Sequence, residues 1–136
     1  SDLVVTPAGY RSPAAETSVG RAILARESDE QVRARYAGGY RAASPNAPQT
    51  LDALLQKLQQ VRRQGWSLAR NETLNGISSL ATALVNKHGS ETVGLCLSFP
   101  SQGEEQPFVP EVLAELTAVS RQLAEKYGDD YWQQIN

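Results

Sequence analysis

The sequence predicts an α+β domain in which an antiparallel sheet carries helices on one face and a ligand-sized cup on the other. Three features of the hydrophobic pattern predict it. Apolar residues recur at helical spacing through residues 14–64, switch to a period of two after Gly65, and return to helical spacing at 112–127. With 136 residues, 40% apolar and 21% charged, the chain suits one globular domain with a core of moderate size.

Leu3-Val4-Val5 reads as a strand end, stopped by Pro7 and Gly9. Val19, Ala22, Ile23 and Ala25 mark a short helix within residues 14–25, with Thr17 or Ser18 as its cap. Gly20 inside that helix costs roughly 1 kcal/mol relative to Ala. Its use is therefore a close approach of another element, or of a ligand, to the backbone. Ser28 and Gln31 have capping-box spacing at the start of a second short helix that ends near Gly38 and Gly39. Residues 38–49, rich in Gly, Pro, Ser and Ala, form a surface loop.

Thr50 caps a stronger helix, in which Leu51, Leu54, Leu55, Leu58 and Val61 line one face and Gly65 ends the run. Arg62 and Arg63 in its last turn read as a solvated terminus favoured by the helix dipole. Residues 66–70 then form a strand, 71–76 a turn or bulge, and 77–86 a second strand. His88 and Gly89 turn the chain into 92–99, the antiparallel partner, which Pro100 ends. Residues 103–110 are a loop with solvated Glu104 and Glu105. Val112, Leu113, Leu116, Val119, Leu123 and Tyr127 define the last long helix, stopped by Gly128. The tail carries Tyr131, Trp132 and Ile135, a set suited to docking on an apolar surface.

Alternation sends successive strand side chains to opposite faces. Val93, Leu95, Leu97 and Phe99 share a face that calls for helices, while Gly94, Cys96 and Ser98 share the other. Ser79, Ala81 and Ala83 form a similar row of small residues on the neighbouring strand. If the two rows lie on the same side, they make the floor of a shallow cup. The turn at Ala15, Glu16, Thr17 and Ser18 can direct backbone N–H groups and hydroxyls into it, which suits a small organic acid. The alternative is that Ser79, Cys96 and Ser98 fill the core and satisfy backbone carbonyls.

Other chemistry finds little support. Thirteen basic residues against fifteen acidic ones give a net charge of -2, without a basic block to grip nucleic acid. One Cys and one His assemble neither a zinc nor an iron–sulfur site, so no metal and no cofactor are expected. No apolar run is long enough to span a membrane, and a cytoplasmic, reducing location follows. Cys96 as a nucleophile would need His88 within reach, and His88 sits in the turn at the far end of the adjacent strand. A buried filler or a pocket wall is the expected role of Cys96, and a solvated turn that of His88. Glu72 is expected to pair with Arg70, or Asn71 to satisfy the turn. Neither a paired carboxylate nor a phosphate-binding glycine loop is present.

Several strings, in order, resemble the C-terminal effector-binding domain of the IclR family of transcription regulators. They are 11–13 leading to Gly20-Arg21-Ala22-Ile23-Leu24-Ala25, the helix end at 58–66, the turn at 72–76, and the strands at 79–85 and 93–100. The resemblance covers about residues 8–127 and implies a GAF-like fold whose sheet cups an effector. Carried over, the ligand-binding positions are Ala15, Thr17, Ala69, Ile77 with Ser79, and Cys96 with Ser98. The family's domain begins with a helix and at least two strands for which this chain has no room, so the sheet is expected to be N-terminally incomplete. Its winged-helix DNA-binding domain is likewise expected to be absent, and the lack of Met reads as a fragment or a processed chain.

The resemblance also implies partners: a small carboxylate effector, and a second copy in a homo-dimer or tetramer recruited by the open sheet edge. DNA would be contacted only through the missing domain. Where family members carry two or three acids, this chain has Arg70-Asn71-Glu72, and Ala69 replaces an aspartate that can occur there. Reduced acidity favours an anionic or neutral effector. Two other classes stand beside this reading: an oligomerisation module without ligand, and an enzyme of small-acid metabolism.

Overall fold

A computed structural model describes residues 11–72, 74–103 and 105–135 of the chain. The strand end at Leu3-Val4-Val5 and the loop residue Glu104 lie outside them. A single 3-10 turn, Ala14–Glu16, leads into α1 (Ser18–Leu24), α2 (Asp29–Arg35) and α3 (Leu51–Gln64). Three strands follow, β1 (Ser67–Arg70), β2 (Ile77–Val85) and β3 (Thr92–Pro100), then α4 (Pro110–Tyr127) and α5 (Tyr131–Gln134).

Local chemistry sets these boundaries. The Thr17 hydroxyl accepts from Gly20 N, and Thr50 accepts from Ala53 N. Ser28 and Gln31 satisfy each other's backbone in the expected capping box. Gly65 and Gly128 take left-handed conformations that close α3 and α4. β1 starts at Ser67 rather than Trp66, whose ring packs edge-on against Phe108 at 5.4 Å.

The sheet is antiparallel throughout, in the order β1-β2-β3. One face of β2 meets α4: the Thr82 and Ser120 hydroxyls lie 2.7 Å apart, and Leu84 packs with Ala124 and Trp132. On the other face Ala81 and Ala83 pack against Ala22, flanked by Val19 and Ile23. Helices therefore cover one face, and α1 also crosses one end of the small-residue face. Gly94 permits that crossing, and Gly20 permits the close return of the 3-10 turn onto α1. A methyl at Gly94 would collide with Val19, and one at Gly20 with the Ala14 carbonyl. α3 lies outside α1 and α2, its Leu54, Leu55, Leu58 and Val61 buried with Leu24, Ala25 and Val32.

Arg62 is only partly solvated, against the expectation from its position. Its guanidinium donates to the Ala25 and Glu27 carbonyls, both at 2.8 Å, and to Asp29 Oδ1 at 3.3 Å. The end of α3 abuts the α1–α2 corner, so Arg62 caps the two carbonyls that follow α1. Arg63 is exposed as expected.

The tail docks as its apolar content predicts. Trp132 is 2% exposed and donates its indole N–H to the Ala83 carbonyl at 3.0 Å. Asp129 anchors this corner, taking both Arg26 Nη atoms at 2.6 and 2.7 Å and the Val85 N–H at 3.0 Å. Burial opposes its ionisation, but the Arg26 guanidinium and the Val85 N–H outweigh that and hold the carboxyl below its ordinary value.

Two outcomes follow. Gly20→Ala gains about 1 kcal/mol of helix propensity but forces a displacement costing about 1–3 kcal/mol, so its urea midpoint should fall. Asp129 ionised stabilises the fold above the ordinary carboxylate range, and that contribution is lost as pH falls through its depressed folded value. Asp129→Asn should therefore lower the melting temperature at neutral pH and flatten its decline below about pH 4, read by melting across a pH series.

Candidate functional site

The pairing register decides whether the two small-residue rows share a face. Ala69 lies opposite Ser79, Ser79 opposite Ser98, Ala81 opposite Cys96 and Ala83 opposite Gly94. Residues directly paired in an antiparallel sheet point the same way. Ala69, Ser79 and Ser98 thus form one row across three strands, with Ile77 on one side of it and Cys96 on the other.

α1 covers the Ala83–Gly94 end of this face and stops above its middle. Ser18, its first residue, is buried and places its hydroxyl 2.5 Å from Ser79 Oγ and 3.6 Å from Cys96 Sγ. Beyond Ser18 the face opens. Ser79 and Ile77 are half-buried, while Cys96 and Ser98 are exposed. Among the described residues the face thus forms a recess open along β3, roofed at one end by α1.

Not every expected position reaches it. Thr17 sits beside the recess with its hydroxyl engaged by Gly20 N at 2.9 Å. Ala69 is 6% exposed and lies at the closed β1 side. Ala15, 4% exposed, belongs to the core cluster with Leu24 and Leu54, and only its carbonyl bears on the site. Cys96 is exposed rather than a buried filler, since among the described residues β3 is the sheet edge. His88 is exposed in the β2–β3 turn, and among the described residues no cluster of three or more His, Cys, Asp or Glu could hold a metal. A separate apolar cleft of about 440 Å³, beside α4 between Trp66, Leu113 and Trp132, contains none of the expected site residues.

The closed side of the recess is built by a buried ion pair that replaces the expected Arg70–Glu72 contact. Arg21 donates Nη1 to Glu72 Oε1 at 2.6 Å and Nη2 to Oε2 at 2.8 Å, with side chains 1% and 6% exposed. The same two nitrogens reach the Ala15 carbonyl at 2.8 Å and the Leu68 carbonyl at 2.7 Å. Arg70 instead extends to the Gln102 carbonyl at 3.2 Å, since its strand position points it to the opposite face. Asn71 does satisfy the turn, accepting from Gly76 N and Ser101 Oγ. The signal for Arg21 was present in the spacing: Ser18, Arg21, Ala22 and Ala25 fall at i, i+3, i+4 and i+7, on the buried stripe.

Removing one partner of a buried ion pair strands the other. Glu72→Ala should cost about 3–5 kcal/mol in a urea titration, and Arg70→Ala under about 1 kcal/mol. Equal losses at the two positions would contradict the assignment.

Comparison with known proteins bears on this architecture. The family model described as Bacterial transcriptional regulator IclR C-terminal matches residues 3–125. The HTH-type transcriptional regulator KdgR of Escherichia coli (strain K12) is 28% identical over 121 residues, covering 88% of this chain and 46% of the relative. The Pca regulon regulatory protein of Pseudomonas putida is 32% identical over 122 residues, covering 85% and 42%. The solved C-terminal domain of E. coli KdgR superposes with a TM-score of 0.71 at 29% identity, over 88% of this chain and 71% of that one. The chain spans less than half the length of the curated relatives it matches. Both its sequence and its fold place it: the chain belongs to the family of the bacterial transcriptional regulator IclR, whose C-terminal part it represents.

Proposed function

We propose that the chain is the effector-sensing part of a transcription regulator, and that a small organic acid occupies the recess at the first turn of α1. The observation that carries this is the register that gathers Ala69, Ser79, Cys96 and Ser98 on one sheet face beneath Ser18. Small side chains leave volume there, and the Ser18, Ser79 and Ser98 hydroxyls supply hydrogen bonds. Thr17 and Ile77 border the recess. Glu72, the acid on its closed side, has both oxygens engaged by Arg21, so it presents no unbalanced charge to repel an anion.

Control of transcription would be exerted through a DNA-binding part elsewhere in the polypeptide, biased by differential affinity of its arrangements for the effector. The matched family is one of transcription regulators. A cytoplasmic location fits that role, and among the described residues no helix is long and apolar enough to cross a membrane. A homo-dimer or tetramer is the proposed assembly. Its support is β3, an edge of nine uncharged residues with Val93 and Leu97 exposed.

Thermal melting against pyruvate, succinate and benzoate, one for each class of acid, tests the reading. A binder should raise the melting temperature saturably, worth about 2.7 kcal/mol at a hundredfold excess over Kd. Cys96→Ser should preserve the response and Ser98→Phe should abolish it. A flat response to all three acids from folded protein would overturn the assignment of an organic acid.

A further inference from the structure

Resting on that reading of the recess, we propose that Arg21 is its positioning residue, setting where Ser18 stands over Ser79 and Cys96. Its guanidinium touches three separate segments bordering the recess. It holds the 3-10 turn through the Ala15 carbonyl, β1 through the Leu68 carbonyl, and the β1–β2 turn through both oxygens of Glu72. Ser18 lies one helical turn before Arg21 on the same side of α1. A shift of the guanidinium is therefore a shift of the Ser18 hydroxyl.

A second set of bonds joins the same segments. The Glu16 carboxylate, in the 3-10 turn, accepts from Ala43 N at 3.2 Å and Ser44 N at 2.8 Å. From that loop Asn46 donates to the Asn71 carbonyl at 2.8 Å, returning to the β1–β2 turn. The bonds form a ring, and Arg21 is the member that ties it to the helix carrying Ser18. A planar fork fixes direction as well as distance. A buried pair of this kind adds little net stability over an apolar pair of the same volume, and what it supplies is one specified geometry.

The test uses Arg21→Lys, which keeps the charge without the fork, and Glu72→Gln, which keeps the shape without the charge. Asp129→Asn, which loosens the opposite end of β2, is the control for general destabilisation. Two readouts are taken: affinity for whichever of pyruvate, succinate and benzoate binds the wild type, and the rate at which N-ethylmaleimide labels Cys96, the chain's one cysteine. The expected result is an affinity loss of about tenfold and faster labelling in both site variants, with neither change in Asp129→Asn at a comparable melting temperature. Unchanged affinity and labelling in folded site variants would overturn the proposal, as would losses that track melting temperature in all three. Should Arg21→Lys fail to fold, Glu72→Gln decides. If the wild type binds none of the acids, the organic-acid reading fails, and the labelling rates alone decide whether Arg21 sets the geometry.

Discussion

The buried fork of Arg21 on Glu72 is the contact on which the rest of the arrangement depends. Taking a guanidinium and a carboxylate out of water is costly, and the cost is tolerable only when the polar atoms find partners. Here both carboxylate oxygens accept from the fork, and the two backbone carbonyls take one further bond from each of its Nη atoms. Those carbonyls belong to segments separated by many residues, so one side chain fixes the first helix, the start of the sheet and the turn that follows. α1 has only two turns and little stability of its own. Its place on the sheet is owed to this anchor and to the alanines beneath it.

Close packing supplies the second constraint. Ala22, Ala81, Ala83 and Gly94 are all small, and together they let a helix lie nearly against the sheet. The same small residues continue past the first turn of the helix, where Cys96 and Ser98 are exposed among the described residues. A recess results from a helix that stops short, rather than from a cavity carved in the core. The two faces of the sheet thus do different work. Leucines and the Thr82–Ser120 hydroxyl pair bind α4 on one side, and the other side keeps open space next to hydroxyls.

Much of this was legible in the chain. The caps at Thr17, Ser28 and Thr50, the glycine stops and the period-two strands each follow from interactions within a few residues. Alternation also separated the two sheet faces, leaving only the register to bring Ser79 and Ser98 into one row. What escaped were partners distant in sequence. Glu72 had an arginine two residues away, and local proximity favoured it, yet strand geometry turns Arg70 to the other face while Arg21 approaches from α1. Arg62 looked solvated because nothing nearby in sequence shows that α3 ends against the carbonyls of the α1–α2 corner. Cys96 looked buried because its neighbours are apolar, whereas its exposure follows from β3 being the edge of the sheet among the described residues. Ala15 was drawn into the site by the turn it occupies, although its methyl faces the core.

The docking of the tail has an optical consequence. Ala83 offers its carbonyl to the Trp132 indole and its methyl to the helix on the other face of the sheet. Trp66, the second tryptophan, is half-buried against Phe108. The two indoles thus occupy environments of different polarity, one sealed and one partly wet. Emission from Trp132 originates within one residue's thickness of α1, so the chain carries an intrinsic fluorophore directly behind the helix that roofs the recess.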